Sequence, residues 1–439
     1  MVDADGFNRR SREVLAGGLL VLLLMASLAH GLFGIASAEY AGMAGWCAAA
    51  LLAGRLRGAA RIQVLGMLGV GTVGMVWGAA AGNPPSLGRV FSANQQLLAM
   101  LVGVTFLRLV ALPNQGRSEA LPKGARSLWR TLFGVHFFGA VINLSAVMIV
   151  GERQAASKPL SRLQAIVLSR GFSAAAYWSP FFAAMGVALT YAPGSQMVLL
   201  MSVGFVAAMI SLVIVGYGLS RDSEVSTYRG YPMHFETLIV PGLLAVAVVL
   251  LHELWPHIRV LVWVALLSPL LAIAMVFGRE GRTAIFSLGR HVTSGLPQMS
   301  SELVLFLAAG VLAVGISSYV GSMELQVLPE HFGPTEASLL LGIMVLLAAA
   351  GVHPVISISV SGGLLMPIAS DPSLVGMVFL MAWSLGVCVS PLSGMHLAMQ
   401  GRFQVPATRF FGWNLSYIAA MLCVDVGLLH IYHYWGTII

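Results

Sequence analysis

The sequence predicts an all-α polytopic membrane protein with about 11 transmembrane helices and two re-entrant hairpins, arranged as two inverted repeats. Three observations lead to this fold class. Only 9% of the 439 residues are charged and 58% are hydrophobic, whereas a soluble domain carries about 25% charged residues. Apolar stretches recur at the length that crosses a bilayer, about 20 residues. Short sequence patterns in the first half recur in the same order in the second half.

Composition and the missing motifs exclude several function classes. The 24 lysines and arginines interrupt apolar segments and form no basic face, so they indicate orientation in a bilayer and not nucleic-acid binding. The three cysteines have the spacing of neither a disulfide framework nor a metal site. The sequence contains no HExxH, no Walker loop and no nucleophile elbow. We therefore expect no enzymatic activity, no cofactor apart from Na⁺ or H⁺ as a coupling ion, and no nucleic-acid partner.

The first predicted element is an N-terminal tail with a leading transmembrane helix, over 1–38. Its charged start and the triplet Ala36-Ser37-Ala38 resemble a signal peptide with its cleavage site. The apolar run is longer than the 7 to 15 residues of a signal core, however. The pattern therefore favours a retained anchor over a cleaved signal.

The first repeat is predicted over 39–220 and the second over 236–439, with a cytoplasmic linker over 221–235 between them. Each repeat holds three spans, a hairpin, a span broken at Ser-Pro, and a last span. Five crossings are an odd number, so the second copy is upside down relative to the first. The predicted spans, with the leading helix placed at 14–37, are 40–54, 62–81, 95–112, 163–191, 197–217, 236–253, 258–277, 301–321, 373–400 and 406–434.

The segments 128–150 and 336–370 are predicted to be re-entrant hairpins, because each is bounded by polar residues and has a weak point near its middle. The weak points are Gly134-Val135-His136 and Gly351-Val352-His353-Pro354. The alternative is that 128–150 is one ordinary span and that 336–370 is a kinked pair. The alternative changes the sidedness of everything that follows.

The distribution of basic residues favours the hairpins. With a cytoplasmic amino terminus and both hairpins returning to their side of entry, only Arg89 and Arg259 of the 24 lysines and arginines fall outside. A bias of this kind sets the orientation of membrane proteins. We therefore expect a multi-pass protein of the cytoplasmic (inner) membrane with its amino terminus in the cytoplasm and its carboxyl terminus outside.

Three short patterns support the internal repeat, because they recur in order with offsets of 201, 217 and 211 residues. The recurring pairs are Ser86-Leu87-Gly88-Arg89 with Ser287-Leu288-Gly289-Arg290, Gly134-Val135-His136 with Gly351-Val352-His353, and Ser173 plus Ser179-Pro180 with Ser384 plus Ser390-Pro391.

The two Ser-Pro pairs are predicted to interrupt their helices, because proline removes a backbone hydrogen bond and clashes with the preceding turn. The freed backbone groups cannot face lipid, so they must face protein, water or a solute. The amino terminus of a half-helix suits an anion, and unwound carbonyl groups suit Na⁺. A single kink of this kind more often serves packing alone. Recurrence of the break in both repeats favours a binding site.

The candidate site residues cluster around these features. His136 and His353 are expected at the hairpin tips, as neutral donors or proton carriers, although a lone membrane histidine is more often a packed residue. Arg170 is expected to snorkel toward the interface, the alternative being that it steers an anion. The predicted substrate-binding residues are His136, Asn143, Ser145, Ser179, Pro180, His353, Ser357, Ser390, Pro391, Ser393, Gly394 and His396.

Coupling to an ion is assigned to Asp425, the acidic residue well inside a span, together with Ser173 and Ser384. A carboxylate within the membrane is costly and is by default a candidate for proton or sodium coupling. The alternative is a structural aspartate that is held by Asn414 or by a hydroxyl of a neighbouring helix.

The layout resembles the ion transporter superfamily, the clan of the divalent anion/sodium symporters, the arsenite and sodium/proton antiporters of the same fold, and the membrane subunits of tripartite carboxylate transporters. The likeness covers nearly the whole chain and rests on architecture, since the hairpin tips lack the Ser-Asn-Thr signature of the divalent-anion branch. The resemblance implies a homodimer that is joined through scaffold helices. It also implies an elevator-like movement of the domain that holds the hairpins and broken helices.

The expected function is a secondary active transporter that moves a small organic or inorganic anion, coupled to H⁺ or Na⁺. One alternative is a sodium/proton antiporter of the same fold. Another is the membrane subunit of a multi-component carboxylate transporter, which would need a substrate-binding partner subunit. The other expected partners are the anionic solute, the lipid bilayer and a second copy of the chain.

Overall fold

A computed structural model describes residues 2–35, 37–110, 121–232, 239–322 and 331–436. Within these ranges the regular structure is helical, with one isolated β-bridge between Lys123 and Arg229. The all-α prediction is confirmed. The expected cleavage-like triplet lies partly outside the described residues, because Ala36 is not among them.

The described α-helices follow one another along the chain with short turns between them. They are α1 (Val2–Phe33), α2 (Ala38–Leu52), α3 (Gly58–Ala80), α4 (Leu87–Ser92), α5 (Gln95–Thr105), α6 (Ala125–Ile142), α7 (Leu144–Ala155), α8 (Arg162–Ala174), α9 (Ala183–Tyr191), α10 (Met197–Ser220), α11 (Ile239–Leu254), α12 (Val260–Glu280), α13 (Ala284–Arg290), α14 (Ser300–Val320), α15 (Pro334–Ala349), α16 (Pro354–Leu365), α17 (Pro372–Val389), α18 (Gly394–Phe403) and α19 (Arg409–Gly436).

Seven segments of the described chain are long and apolar enough to cross a membrane, so the protein is a multi-pass membrane protein. One of them is 61 residues long and contains both α12 and α14. The remaining predicted spans are too short or too interrupted to meet the same test. The seven segments are Arg10–Phe33, Gly58–Ala80, Leu87–Leu109, Met197–Ser220, Val260–Val320, Pro372–Phe403 and Arg409–Tyr434.

The chain divides into two compact units. The first contains α1 to α5 and α12 to α14, with most of α11 and with Ser359–Leu364. Within it, α3 packs closely on α14: a Cβ added to Gly71 would lie 2.7 Å from the carbonyl oxygen of Val311. Small residues of this kind let membrane helices approach one another.

The second unit contains both hairpins, both broken helices and the long helices α10 and α19. The segment Pro372–Phe403 is 94% buried, against 22% for Gly58–Ala80 of the first unit. Asp371 starts this buried segment by accepting hydrogen bonds from the amides of Ser373 and Leu374 at 2.8 and 3.3 Å. An acidic cap of this kind satisfies amides that the helix itself leaves free.

The helices of the second unit recur with a nearly constant displacement. The helices α6, α7, α8, α9 and α10 start at residues 125, 144, 162, 183 and 197, and α15 to α19 start at 334, 354, 372, 394 and 409. Each later helix therefore starts 209 to 212 residues after its counterpart. The displacement of the Ser-Pro pattern, 211 residues, falls within this interval.

Corresponding elements run in opposite directions. At the start of α8, the Gln164 side chain donates to the carbonyl oxygen of Arg229 at 2.8 Å. Shortly after the end of α9, the amide of Gln196 donates to the Ser373 hydroxyl, at the start of α17, at 3.1 Å. The second broken helix thus begins where the first one finishes. Antiparallel counterparts are the arrangement of inverted repeats.

The first hairpin returns to the place where it begins. Pro122, just before α6, accepts a hydrogen bond from the amide of Gly230 at 2.9 Å. Gln154, in the last turn of α7, donates to the carbonyl oxygen of Arg229 at 2.9 Å. Both ends of the helix pair therefore meet the same two residues.

Two of the three sequence matches do not correspond in the fold. His136 lies inside α6, whereas His353 lies in the turn between α15 and α16, so the placement of His136 at a hairpin tip is wrong. The first turn is at Asn143, which has φ +52°. Ser86 precedes α4 as its cap, whereas Ser287 is inside α13. In a chain rich in glycine, serine and leucine, short patterns of this kind recur by composition alone.

Candidate functional site at two helix breaks

Both predicted helix breaks are present and have the same local geometry. The first lies between a short 3₁₀ turn after α8 and the start of α9, and the second lies between α17 and α18. The Ser179 hydroxyl accepts from the amide of Phe181 at 3.2 Å, and the Ser390 hydroxyl accepts from the amide of Leu392 at 3.3 Å. Serine therefore replaces lost helical partners at both sites, as its short hydroxyl side chain readily does.

Each hairpin turn contacts the break of its own repeat. The side-chain amide of Asn143 donates to the carbonyl oxygen of Phe181 at 3.2 Å. In the second repeat, a Cβ added to Gly351 would lie 2.7 Å from a methyl carbon of Leu392. Phe181 and Leu392 both follow the proline of their break directly. The two turn-to-break contacts therefore involve corresponding residues.

The two broken helices meet at the pair of serines that the sequence repeat singled out. The Ser384 hydroxyl donates to the carbonyl oxygen of Ser173 at 2.9 Å, and both residues are fully buried. The Ser173 hydroxyl donates in turn to the carbonyl oxygen of Arg170 at 3.3 Å. The two candidate coupling serines are thus brought together, with their hydroxyl protons directed at backbone oxygens.

His136 is a buried bracing residue of the first break. Its Nδ1 lies 3.3 Å from the carbonyl oxygen of Gly171, and its Nε2 accepts from the indole of Trp178 at 3.1 Å. A carbonyl acceptor at one nitrogen and an N–H donor at the other suit the neutral ring with its proton on Nδ1. Both ring nitrogens are therefore occupied by protein partners.

His396 plays a similar part at the second break. Its Nδ1 lies 2.8 Å from the carbonyl oxygen of Ser390, and its Nε2 lies 2.9 Å from the hydroxyl of Ser169 on α8. The ring stacks on Phe410 with a centroid distance of 4.0 Å. The histidine therefore fastens the start of α18 to the first broken helix.

The remaining predicted ligands differ in exposure. Asn143, Ser145 and His353 are half-buried at the two turns, whereas Ser357 is buried in α16 with its hydroxyl directed at the carbonyl oxygen of Pro354 at 3.0 Å. Gly394, the first residue of α18, is exposed, and a Cβ added there would meet open space. The two turns and the start of α18 are thus the parts of the site with room for a solute.

Buried Pro180 and half-buried Pro391 lie at the breaks, as predicted. Ser393, also at the second break, is buried and caps α18 by accepting from the amide of His396 at 3.3 Å. Its hydroxyl is therefore held by its own helix.

Asp425 is fully buried on α19 and has one hydrogen-bond partner among the described residues. The Tyr177 hydroxyl, at the first break, donates to Oδ2 at 2.8 Å, and Oδ1 has no partner. The predicted alternative partner Asn414 bonds elsewhere. A buried carboxylate oxygen without a donor is costly, so this position suits a proton or a cation.

Arg170 does not snorkel, contrary to the sequence expectation: it is only 8% exposed. Its Nε donates to Oδ1 of Asn414 at 2.9 Å, and Nη2 donates to the carbonyl oxygen of Trp413 at 2.6 Å. The guanidinium carbon lies 4.7 Å from the ring centre of Tyr417. In the part of the chain that the structure describes, no carboxylate pairs with this cation.

Sequence reasoning passed over Arg170 and Tyr177, and their spacing could have drawn attention to them. They are seven residues apart, which is two turns of helix, and therefore share a face. Asn414, Tyr417 and Asp425 likewise recur on one face of α19. Polar residues repeated at helical spacing in two apolar spans indicate two helices that face each other.

The described residues contain no group of three or more His, Cys, Asp or Glu side chains that could hold a metal ion.

Comparison with known proteins gives one weak likeness. No family model matches the chain, and no curated protein matches it. Among solved structures, the YdaH transporter of Alcanivorax borkumensis, reported with an unusual topology, is 16% identical over 85% of each chain with a TM-score of 0.39. Superposition at this level does not establish a common fold.

Proposed function

We propose that the protein is a secondary active transporter that moves a small organic or inorganic anion across the cytoplasmic membrane. The observation that carries the proposal is the duplicated convergence of a hairpin turn on a Ser-Pro helix break, within one compact unit and in antiparallel copies. Discontinuous helices at the interface of inverted repeats form the solute sites of secondary transporters. Packing alone requires no such duplication.

An anion fits the chemistry of this region better than a cation. The half-helices α9 and α18 begin at the breaks, and helix amino termini favour negative charge. The buried cation Arg170 lies on the first broken helix. The serines and Asn143 supply neutral hydrogen-bonding groups that suit a solute oxygen.

The driving ion is H⁺ or Na⁺, and Asp425 is its proposed site. Its free Oδ1 and its contact with Tyr177 place an ionisable group directly beside the first break. Ser173 and Ser384 lie close by on the two broken helices, and Ser384 neighbours the Tyr177 hydroxyl. Ion binding at Asp425 could therefore act on both halves of the site.

The proposed movement is of the elevator type, in a homodimer. The second unit gathers both hairpins and both broken helices, which is the content of the moving domain in such transporters. The first unit would then supply the fixed helices. Its tightly packed α3 and α14 pair suits that part.

Uptake of anions by purified protein in proteoliposomes tests the function. A panel of labelled monocarboxylates, dicarboxylates and inorganic oxyanions is offered under imposed proton or sodium gradients. We expect gradient-dependent accumulation of at least one anion above that of protein-free vesicles. Absence of flux for every anion under every gradient contradicts the proposal.

A second candidate function is sodium/proton antiport, and the free oxygen of Asp425 is the observation that favours it. Asp425→Asn separates the two. In an anion symporter the variant loses gradient-driven accumulation and keeps exchange of labelled for unlabelled anion. In an antiporter it abolishes proton movement driven by a cation gradient. Asp222→Asn, which alters a partly exposed ion pair with Arg162, is the matched control and should behave as the wild type.

A further inference from the structure

Arg170 is a charged side chain buried without an opposite charge. Its two recorded hydrogen bonds go to neutral oxygens, the side-chain oxygen of Asn414 and the backbone oxygen of Trp413. A buried cation is costly unless it is paired, and neutral acceptors compensate it only in part. The described residues supply no carboxylate for it.

The unused hydrogens of the guanidinium point to the shape of the missing partner. Nε has one hydrogen, which Asn414 accepts, and Nη2 has two, of which Trp413 accepts one. The second hydrogen of Nη2 and those of Nη1 have no recorded acceptor in the described chain. Two adjacent N–H groups of this kind match the two oxygens of a carboxylate or another oxyanion. The Tyr417 ring beneath the guanidinium helps to fix the orientation of its plane.

Arg170 is also connected to both sides of the second helix break. Through Asn414, whose side-chain amide donates to the carbonyl oxygen of Cys388 at 2.7 Å, it reaches the last turn before the break. The preceding residue, Ser169, contacts His396 just after the break. An anion at Arg170 would therefore act on the element that the proposed function places at the transport site.

We propose that Arg170 binds the anionic group of a singly charged carboxylate or oxyanion, and that Asn414 and Trp413 position the guanidinium for it. This inference rests on the proposed function and specifies its substrate class. One unpaired positive charge compensates one negative charge, so monoanions are preferred over dianions. The planar two-oxygen contact favours oxyanions over halides.

Binding by purified protein in nanodiscs of zwitterionic lipid tests the inference independently of transport. Acetate, benzoate, succinate, inorganic phosphate and chloride are titrated, with thermal stabilisation and calorimetry as the two measurements. We expect at least one monocarboxylate or phosphate to bind the wild type. Arg170→Gln should weaken that binding by at least about tenfold, which is the effect of losing about 1.4 kcal/mol. Arg170→Lys should also weaken it, because an ammonium group cannot form the two-oxygen contact.

The matched control is Arg221→Gln. Arg221 also lies over a tyrosine ring, that of Tyr217, at 4.1 Å, but it is exposed. This variant should bind anions as the wild type does. Because Arg170→Gln leaves two acceptors without their donor, each variant is first compared with the wild type by size-exclusion chromatography and anion-free melting. Arg170→Lys keeps the charge and serves if the glutamine variant does not fold.

The outcomes separate this inference from the proposed function. If the wild type transports an anion and Arg170→Lys or Arg170→Gln binds that anion with unchanged affinity, the inference fails and the proposed function stands. If the wild type binds none of the oxyanions, the inference also fails. Stabilisation by phosphatidylglycerol alone would assign the charge to a lipid headgroup and overturn the inference. Arg170-dependent binding without flux under any gradient would contradict the transport function and leave the binding site in place.

Discussion

At the scale of single residues, Asn143 both shapes the first hairpin turn and contacts the first break. Its φ of +52° lies in the left-handed region, which asparagine tolerates better than most residues. Its side chain then reaches the carbonyl oxygen of Phe181. One residue thus supplies the backbone bend and the link to the break.

Substitution by glycine separates these two roles. Asn143→Gly keeps the left-handed backbone at little conformational cost but removes the hydrogen bond to Phe181, so we expect a folded protein with impaired transport. Loss of one partly buried hydrogen bond should lower unfolding stability by about 1 kcal/mol. Transport in proteoliposomes and thermal unfolding in detergent provide the two readouts.

Asn94 offers the matched control in the other compact unit. It has φ +61° and donates from its side chain to the carbonyl oxygen of Phe306 at 2.7 Å. Asn94→Gly should lose comparable stability while the surviving folded protein transports normally. Equal transport by the two variants would show that the Asn143 contact serves folding alone.

The residue scale is also where sequence reasoning reached least far. The Ser-Pro pairs were predictable, because proline acts on its own helix turn. The burial of Arg170 was not, because it depends on Asn414, a contact 244 residues away in sequence. Read locally, an arginine two turns into a span from its cytoplasmic end has the position of a snorkelling side chain. Tertiary contact overrides that local expectation.

At the scale of elements, the second hairpin turn is built as a glycine-capped helix end. The amide of Val352 donates to the carbonyl oxygen of Leu347, and the amide of Gly351 donates to that of Ala348, both at 2.9 Å. This is the Schellman pattern, which places a left-handed residue just past the helix, here Gly351 with φ +98°. The turn presents that glycine to Leu392 of the break.

Gly351→Ala should therefore destabilise the protein and weaken transport together. A side chain at φ +98° is strained by about 1 to 3 kcal/mol, and the added methyl group would press on Leu392. Gly394→Ala is the control, because a Cβ there meets open space and its backbone is unstrained. Thermal unfolding compares the two variants. A larger loss of stability in Gly394→Ala than in Gly351→Ala would contradict this account of the turn.

Sequence located the broken helices almost to the residue but misplaced one turn. The predicted break-containing spans 163–191 and 373–400 match α8 with α9 and α17 with α18 closely. The first turn was expected at Gly134-Val135-His136, yet α6 continues through it to Ile142. Hydropathy does not distinguish a glycine inside a packed helix from one in a turn. A turn made by a single asparagine leaves hydropathy almost unchanged.

At the scale of the whole molecule, sidedness follows from where the hairpin ends lie. Because Pro122 and Gln154 both contact the Arg229–Gly230 backbone, the segments before α6 and after α7 belong on one side. The lysine and arginine bias assigns that side to the cytoplasm. The loop after α9, which contacts the start of α17, then belongs on the opposite side.

Single cysteines test this arrangement. In a background where the exposed Cys47 and Cys423 are replaced by alanine, Lys123→Cys and Lys158→Cys should react with a membrane-impermeant maleimide only from the cytoplasmic face. Pro193→Cys should react only from outside. Both sets are measured in intact cells and in inverted vesicles. Labelling of Lys123→Cys and Lys158→Cys from opposite faces would make 128–150 an ordinary span.

The hydrogen bond between Ser384 and Ser173 restricts what either position can become. Corresponding positions of two copies meet only where the axis that relates the copies passes between them. A side chain at such an axis encounters its own counterpart, so any increase in size or charge that is made in both copies counts twice at one point. Tryptophan or lysine at both positions would meet itself with no room to turn aside. Serine satisfies this constraint, because it is small and its hydroxyl can direct its proton to the opposite backbone.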